Sequence, residues 1–590
     1  MTELTLIEGK PKVFIVSDDR ELITEIREYV EGYDYELVGH AGNDTDIFSE
    51  IDKLSPNLLL LDTEIENIDL LSLAGDLELF NVPVIVIVGM RFDETIDEIL
   101  TSNPFGYLLK PLEEGEVQRA MAVALKKHEQ NILSVKYAED KIKEKNVELV
   151  IEKSDSSFLL ILCIALIILA ILTRNATWLQ WLLLIPTLAM LINSIVSIKK
   201  QKEVIPYKEG EEPFISIFIP AHNEEFTIES TVRSVCACEY EKDGEPNFEL
   251  IVVNDGSTDS TGEILANHKK EFSQLKIVTR HPPRSGKGKG FVLNDALALS
   301  RGDIVGVFDA DTQIKTDYLH KVVKYLNGDI AGVQSRVKMF NKNENFLARM
   351  QHVEFASFGN TLIAKDNLGQ TGFLGGNGQF VKKQAIIDSG RWDGFAVTED
   401  LNLAIKIILN GGKIRYCGEC AVYQEAVTEW RAFFRQRVRW AIGNFETLFV
   451  YLPQILRAKI SIAKKFNVIE HISFYSFNLL IFFGFIVSII NVISWFLFHN
   501  VTIIRMEAPF IVGILSVISF FPGIILALSR DKPTAQEFIK DLIKYYVYCF
   551  HLIPLFFLTM MEMMTRKERK WAKTVHKGGK KWDEKTCSMH

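Results

Sequence analysis

Cysteine is scarce in this chain, with seven in 590 residues. A zinc module needs two cysteine pairs at ligand spacing, and Cys417-Gly-Glu-Cys420 has only the distant Cys236-Ala-Cys238 as company. Reduced, partly buried thiols are the expectation instead. Positive charge is also in deficit, because 66 Lys and Arg face 76 Asp and Glu, a net −10 at pH 7. That balance excludes nucleic acid as the main partner, since neutralising phosphates takes a basic face. The first residues are polar and acidic, so no cleavable signal peptide is expected. What the chain has in quantity is apolar residues: 48% of it is hydrophobic, with 24% charged and a mean hydropathy of +0.10. Soluble and membrane parts in one chain follow, and 590 residues exceed one domain.

Residues 11–128 alternate buried apolar runs with helix-period stretches. "KVFIVSDD", "NLLLLDTE", "VPVIVIVGM" and "FGYLLKP" read as strands, and Asp18, Asp19, Asp62 and Lys110 fall at or just past their carboxyl ends. This pattern predicts a doubly wound parallel sheet with a site at that edge. Three carboxylates could hold a divalent cation, and Lys110 could neutralise a phosphoryl group. The arrangement resembles a response-regulator receiver domain, of flavodoxin-like fold. The resemblance implies Asp62 as phospho-acceptor, Asp18 and Asp19 as metal pocket, Tyr107 as switch aromatic, and a histidine kinase or dimer partner. Val88 stands where the family carries a Thr or Ser hydroxyl, which places signalling by phosphorylation and a docking or dimerisation role side by side.

Residues 129–156 form a charged, helix-prone linker. Two apolar runs at 157–198, each near the ~20 residues a bilayer requires, predict a transmembrane hairpin. Lys199, Lys200 and Lys202 return the chain to the cytoplasm by the positive-inside bias. A transmembrane pair is expected at 466–530. Residues 533–564 carry Lys540, Asp541, Lys544, His551 and Pro554, so they read as an interfacial or a fifth membrane helix. The expected location is the plasma membrane, multi-pass, with the receiver-like and catalytic parts cytoplasmic and the lipid bilayer as a partner.

Residues 213–453 carry the chemistry. "FELIVVNDGSTDST" ends a strand on Asp255, and "DIVGVFDADT" ends one on Asp309 and Asp311. Two hard carboxylates at that spacing suit Mg²⁺ or Mn²⁺, which takes further oxygens from phosphates. Lys289 lies in a glycine-rich loop that lacks the GxxxxGK[ST] spacing of a Walker A motif. Asp400 could take a proton from an attacking hydroxyl. Gln436, Arg437, Arg439 and Trp440 bring guanidinium for a diphosphate and indole for a sugar face.

Asp255, Asp309-Ala-Asp311, Thr398-Glu-Asp400 and Gln436-Arg-Val-Arg-Trp440 resemble the D, DxD, TED, QxxRW signature of processive family 2 glycosyltransferases. Cellulose, mixed-linkage β-glucan, hyaluronan and poly-N-acetylglucosamine synthases belong there. The resemblance implies a GT-A fold, a UDP-sugar donor and a growing polysaccharide. Asp255 and Lys289 would bind donor, Asp309 and Asp311 the diphosphate and its Mg²⁺ or Mn²⁺, and Asp400 would be the base. Glu399 and the QxxRW residues would line the acceptor and UDP site. "WAKTVHKG" in the tail 565–590 resembles a gating loop, with Trp571 and Thr574 on the donor. The implied activity is inverting, metal-dependent polymerisation of a UDP-hexose, UDP-glucose first, with translocation. A poly-N-acetylglucosamine or hyaluronan-type product is the alternative. A non-processive lipid glycosyltransferase and a scaffold with an inactive transferase domain are the rival classes.

Overall fold

The computed structural model describes residues 10–33, 35–42, 47–54, 56–65, 82–89, 106–128, 165–166, 168–175, 177–201, 203–208, 210–280, 284–498, 522–530 and 533–565. The chain divides into two compact units, Met1–Val150 and Ile151–His590.

In the first unit, β1 (Lys12–Val16), β2 (Glu36–Ala41), β3 (Leu58–Asp62), β4 (Val84–Val88) and β5 (Gly106–Leu109) form a parallel sheet in the order β2-β1-β3-β4-β5. Strand β3 shows why an unbroken apolar run suits this position. Leu58 and Leu60 join one core cluster, with α1 (Arg20–Glu31), and Leu59 and Leu61 join the other. Successive side chains point to opposite faces, so a strand covered on both must be apolar at every position. Each fully buried leucine contributes about 2 kcal/mol. This unit has the expected doubly wound fold.

The second unit is built on a seven-stranded sheet of β6 (Ile215–Ala221), β7 (Phe248–Asp255), β8 (Leu275–Arg280), β9 (Ile304–Val307), β10 (Ile330–Met339), β11 (Gln379–Lys382) and β12 (Lys413–Gln424). The order is β8-β7-β6-β9-β11-β10-β12, parallel from β8 to β9, with β11 antiparallel to both neighbours. Strands β7, β6 and β9 end side by side, which gathers their C-terminal acids at one edge. Helix α2 (Lys289–Leu299) follows β8, and α3 (Glu399–Leu409) precedes β12. Helix α4 (Phe346–Asn367) packs on β10 and β12, α5 (Trp430–Arg457) follows β12, and α6 (Ala535–Cys549) packs on α4.

The cysteine expectation is corrected here. Cys417 and Cys420, Cα atoms 5.4 Å apart, form a disulfide. The register of β10 on β12 jumps from Ser335↔Cys417 to Arg336↔Ala421, and the intervening bulge folds the two thiols together.

Among the described residues, one helical run is long and apolar enough to cross a membrane, Ala535–Met563. It falls within the segment expected to be an interfacial or fifth membrane helix. Its polar residues are partly absorbed by protein, since Asp541 pairs with Arg349 of α4 at 2.8 Å. Of the expected hairpin, Thr177–Val196 is a helix, while 157–164 lies outside the described residues. Of the expected pair, Phe474–Leu497 is a helix and 499–521 lies outside.

Candidate active site

Asp255 is fully buried at the end of β7. Its carboxylate accepts from Arg280 Nη1 at 2.5 Å and from the Gly286 N–H at 3.0 Å. Arg280 closes the neighbouring strand in register with Asp255, so sheet pairing alone sets the two side by side. Arg280 also lies 2.9 Å from Asp295 of α2.

Asp309 and Asp311 follow β9. Asp309 is the more open, its side chain 42% exposed. Asp311 is buried and accepts from the Glu425 N–H at 2.9 Å, just past β12. The loop 371–378 supports this edge: Asn377 Oδ1 accepts from the Thr312 hydroxyl at 2.8 Å, and its amide donates to Gln424 at 2.8 Å.

Lys289, the first residue of α2, donates to Asp309 at 2.7 Å and stands 3.8 Å from Glu399. Burial alone would lower its pKa, but Asp309 and Glu399 outweigh that and raise it, so it stays protonated. Gly376, at φ +77°, passes so close that an added Cβ would sit 3.0 Å from Asp400 Oδ2 and 3.5 Å from Lys289 Nζ. Four sequence-distant segments therefore converge: the lysine loop, the DxD, the glycine loop and the TED. Glu399 and Asp400 form the first turn of α3, where helix N–H groups favour anions. Burial nevertheless raises both, Glu399 to about 7, with Lys289 pulling the other way.

Helix α5 carries the QxxRW residues. Its Gly443 lies against Thr398, where a Cβ would come 2.4 Å from the threonine methyl. The charge of Arg439 bears on Glu399. Arg437 turns the other way. It is buried, donates to Glu354 at 2.8 Å, and stacks over Trp440 at 4.3 Å and Phe433 at 4.9 Å. Gln436 and Trp440 are half-buried. Trp571 and Thr574 lie outside the described residues.

Asp309 and Asp311 fit a small divalent ion. Asp309 already draws a cationic nitrogen, and such ions need only one or two carboxylates when phosphate oxygens complete the shell. Among the described residues, no group of three or more His, Cys, Asp or Glu converges, so donor oxygens would supply the rest.

In the first unit, Lys110 reaches Asp62 at 3.0 Å and Glu64 at 2.7 Å. Ser17, not singled out from sequence, donates to buried Asp62 at 2.7 Å. Asp19 accepts from the N–H groups of Glu21 and Leu22, capping α1. Asp18 lies beside Gly42, at the end of β2. Val88 is buried and Tyr107 is 59% exposed.

The description "Glycosyl transferase family 2" matches residues 216–390, and "Glycosyl transferase family group 2" matches 304–528. A β-monoglucosyldiacylglycerol synthase of Nostoc is 31% identical over 385 residues, 64% of this chain and 79% of that protein. This chain belongs to glycosyl transferase family 2. The family sheet is therefore the one carrying Asp255 and Asp309 at its edge, and the chain is a glycosyltransferase. The probable glycosyltransferase YdaM of Bacillus subtilis is 30% identical over 388 residues, 62% of this chain and 89% of that protein. A poly-β-1,6-N-acetyl-D-glucosamine synthase of Staphylococcus aureus is 29% identical over 237 residues, 40% of this chain and 55% of that protein. Among solved structures, a mannosyltransferase of Pyrobaculum calidifontis in complex with GDP-Man and Mn²⁺ aligns at TM-score 0.46 and 18% identity, over 67% of this chain and 99% of that one. "Response regulator receiver domain" matches residues 13–122, so the first unit is a receiver domain.

The sequence reading did not anticipate Arg280, Asn377, Gln424, Ser17 or Glu354. Ser17 stands within "KVFIVSDD", just before the two acids; Arg280, Asn377, Gln424 and Glu354 sit outside the motifs named above.

Proposed function

We propose that the chain transfers a hexose from a UDP-sugar, UDP-glucose first, to a membrane-held acceptor with inversion at the anomeric carbon. The observation that carries this is the contact of Lys289 with Asp309 and, at longer range, Glu399, which draws the DxD and TED acids into one cluster. Asp400 is the base. It takes the acceptor hydroxyl's proton as the acceptor oxygen bonds to C1, the C1–O bond to the diphosphate breaks, and UDP leaves. One displacement by one activated hydroxyl gives a β-linkage from an α-linked donor. A divalent cation, held by Asp309 and Asp311, would neutralise charge developing on the departing diphosphate. Asp255 holds the nucleoside end, with Arg280 fixing its orientation. Gly376 packs against the Asp400 carboxylate.

The acceptor we favour is a glycerolipid, because the relatives named for glucosyldiacylglycerol match over 385 residues and the poly-N-acetylglucosamine synthase over 237. A processive polymer is the second reading, favoured by the QRVRW helix beside the TED. Both place the enzyme at a membrane, multi-pass, with the receiver domain regulating from the cytoplasmic side. The test reconstitutes the full chain in liposomes containing diacylglycerol. Labelled UDP-glucose and UDP-N-acetylglucosamine are supplied with Mn²⁺, Mg²⁺ or chelator. Label in an organic-soluble monoglycosyl lipid supports the first reading, and label in an ethanol-insoluble polymer supports the second. Asp400→Asn should abolish either product while UDP still binds; undiminished transfer by that variant defeats the mechanism.

A further inference from the structure

Helix α5 is gripped from two sides. Side chains two residues apart on an α-helix point some 200° away from each other. Arg439 therefore faces the TED while Arg437 faces away from it. Gly443 lies one turn beyond Arg439 on the same face and packs on Thr398. On the opposite face, Glu354 of α4 accepts from Arg437 Nη2 at 2.8 Å and from the Tyr548 hydroxyl of α6 at 2.7 Å, both on the same carboxylate oxygen. Its neighbour Phe355 meets the Trp440 ring edge-on, 6.2 Å between centroids. Arg437 lies between, its guanidinium over the same Trp440. A second tie, Arg349 to Asp541, holds the N-terminal parts of α4 and α6 together.

The geometry points to Glu354 as a positioning residue for the transfer. Through Arg437 it fixes the rotation of α5, and with it the places of Trp440 and Arg439 relative to Glu399 and Asp400. It touches neither Asp255 nor Asp309, so donor binding does not depend on it. This rests on the reading of α3 and α5 as the acceptor side of the site. Arg437 carries a charge in a mostly apolar setting, its side chain only 4% exposed. A buried cation tolerates one rotation of its helix, the one that keeps its carboxylate. Without that carboxylate, α5 can turn to bring Arg437 toward water, and the catalytic face turns with it.

The experiment uses the full chain in liposomes and compares Glu354→Gln, Glu354→Asp and Tyr548→Phe with wild type. UDP affinity is measured by calorimetry, and glycosyl transfer by label incorporation. Glu354→Gln should lower transfer by about 10- to 100-fold, the scale of a misplacement near 1 Å, with UDP affinity within about twofold of wild type. Glu354→Asp should recover part of the rate, because the charge returns. Tyr548→Phe keeps the ion pair and should stay within about threefold. If Glu354→Gln does not fold, Glu354→Asp, which shortens the reach to Arg437 by one methylene, carries the same comparison. A merely structural role predicts that UDP affinity falls in step with transfer, and that result overturns the proposal. So does transfer within about twofold of wild type in the folded variant. Asp400→Asn, run alongside, separates this outcome from failure of the catalytic reading, because it tests the base without touching α4.

Discussion

Lys289→Met is the most informative single change in the site. The lysine is 15% exposed, and it is the cation that sits among Asp309, Glu399 and Asp400. Removing one partner of a fully buried ion pair costs about 3–5 kcal/mol, because the other charge stays behind unpaired. Asp309 is 42% exposed, so water screens part of that loss and about 1–2 kcal/mol is the expected cost. For a domain of this size, each kcal/mol lowers the Tm by about 2–4 °C, giving a drop of about 2–8 °C in chelator. Methionine keeps most of the volume, so a cavity adds little. Millimolar Mn²⁺ should then stabilise the variant more than wild type, since an ion at Asp309 replaces the lost charge. The pH profile moves too. Lys289 pulls both carboxyls down, so without it Asp400 and Glu399 rise further and the acid limb of transfer shifts to higher pH. The assay is intrinsic-fluorescence melting of the purified full chain, with and without chelator, followed by initial rates against pH. A Tm in chelator within about 1 °C of wild type, with an unmoved acid limb, would refute the electrostatic account.

In wild type, burial holds the Glu399 and Asp400 carboxyls above their ordinary range, Glu399 at about 7, and the base must be ionised to act. Transfer should therefore begin to fall at a pH above the ordinary carboxylate range, and a rate flat down to that range would contradict this. Gly443→Ala puts a methyl 2.4 Å from Thr398 and should cost about 1–3 kcal/mol together with transfer; Thr398→Ala in the same chain should restore part of both, and no rescue would mean that the contact is not the cause. In the receiver domain, Asp62→Ala removes the carboxylate shared by Lys110 and Ser17 and leaves Lys110 on Glu64. If phosphorylation is the signal, that variant should transfer at a rate insensitive to acetyl phosphate while wild type responds. A wild type that is also insensitive, with a chain lacking residues 1–126 altered in activity, would make the domain a phosphorylation-independent module.

Much of the architecture was legible because apolar runs state their burial directly. "LLLLD" and "VGVFDAD" could only be strands covered on both faces, and the polar residue that ends such a run must lie at the sheet edge. Asp62, Asp255 and Asp309 were found that way. The motif spacing named the TED and QxxRW segments for the same local reason. What spacing could not carry is rotation and pairing. Arg437 and Arg439 look equivalent in "RQRVRW", yet one is buried on Glu354 and the other faces Glu399, because a helix turns 100° per residue and only its neighbours fix its zero. The same holds for Arg280 beside Asp255, which needs the register of two strands, and for Ser17, whose hydroxyl reaches Asp62 because β1 pairs with β3. Sequence determined which chemistry the chain carries. The fold decided which groups share that chemistry, since contacts between residues 20 to 194 apart exist only once helices and strands are packed.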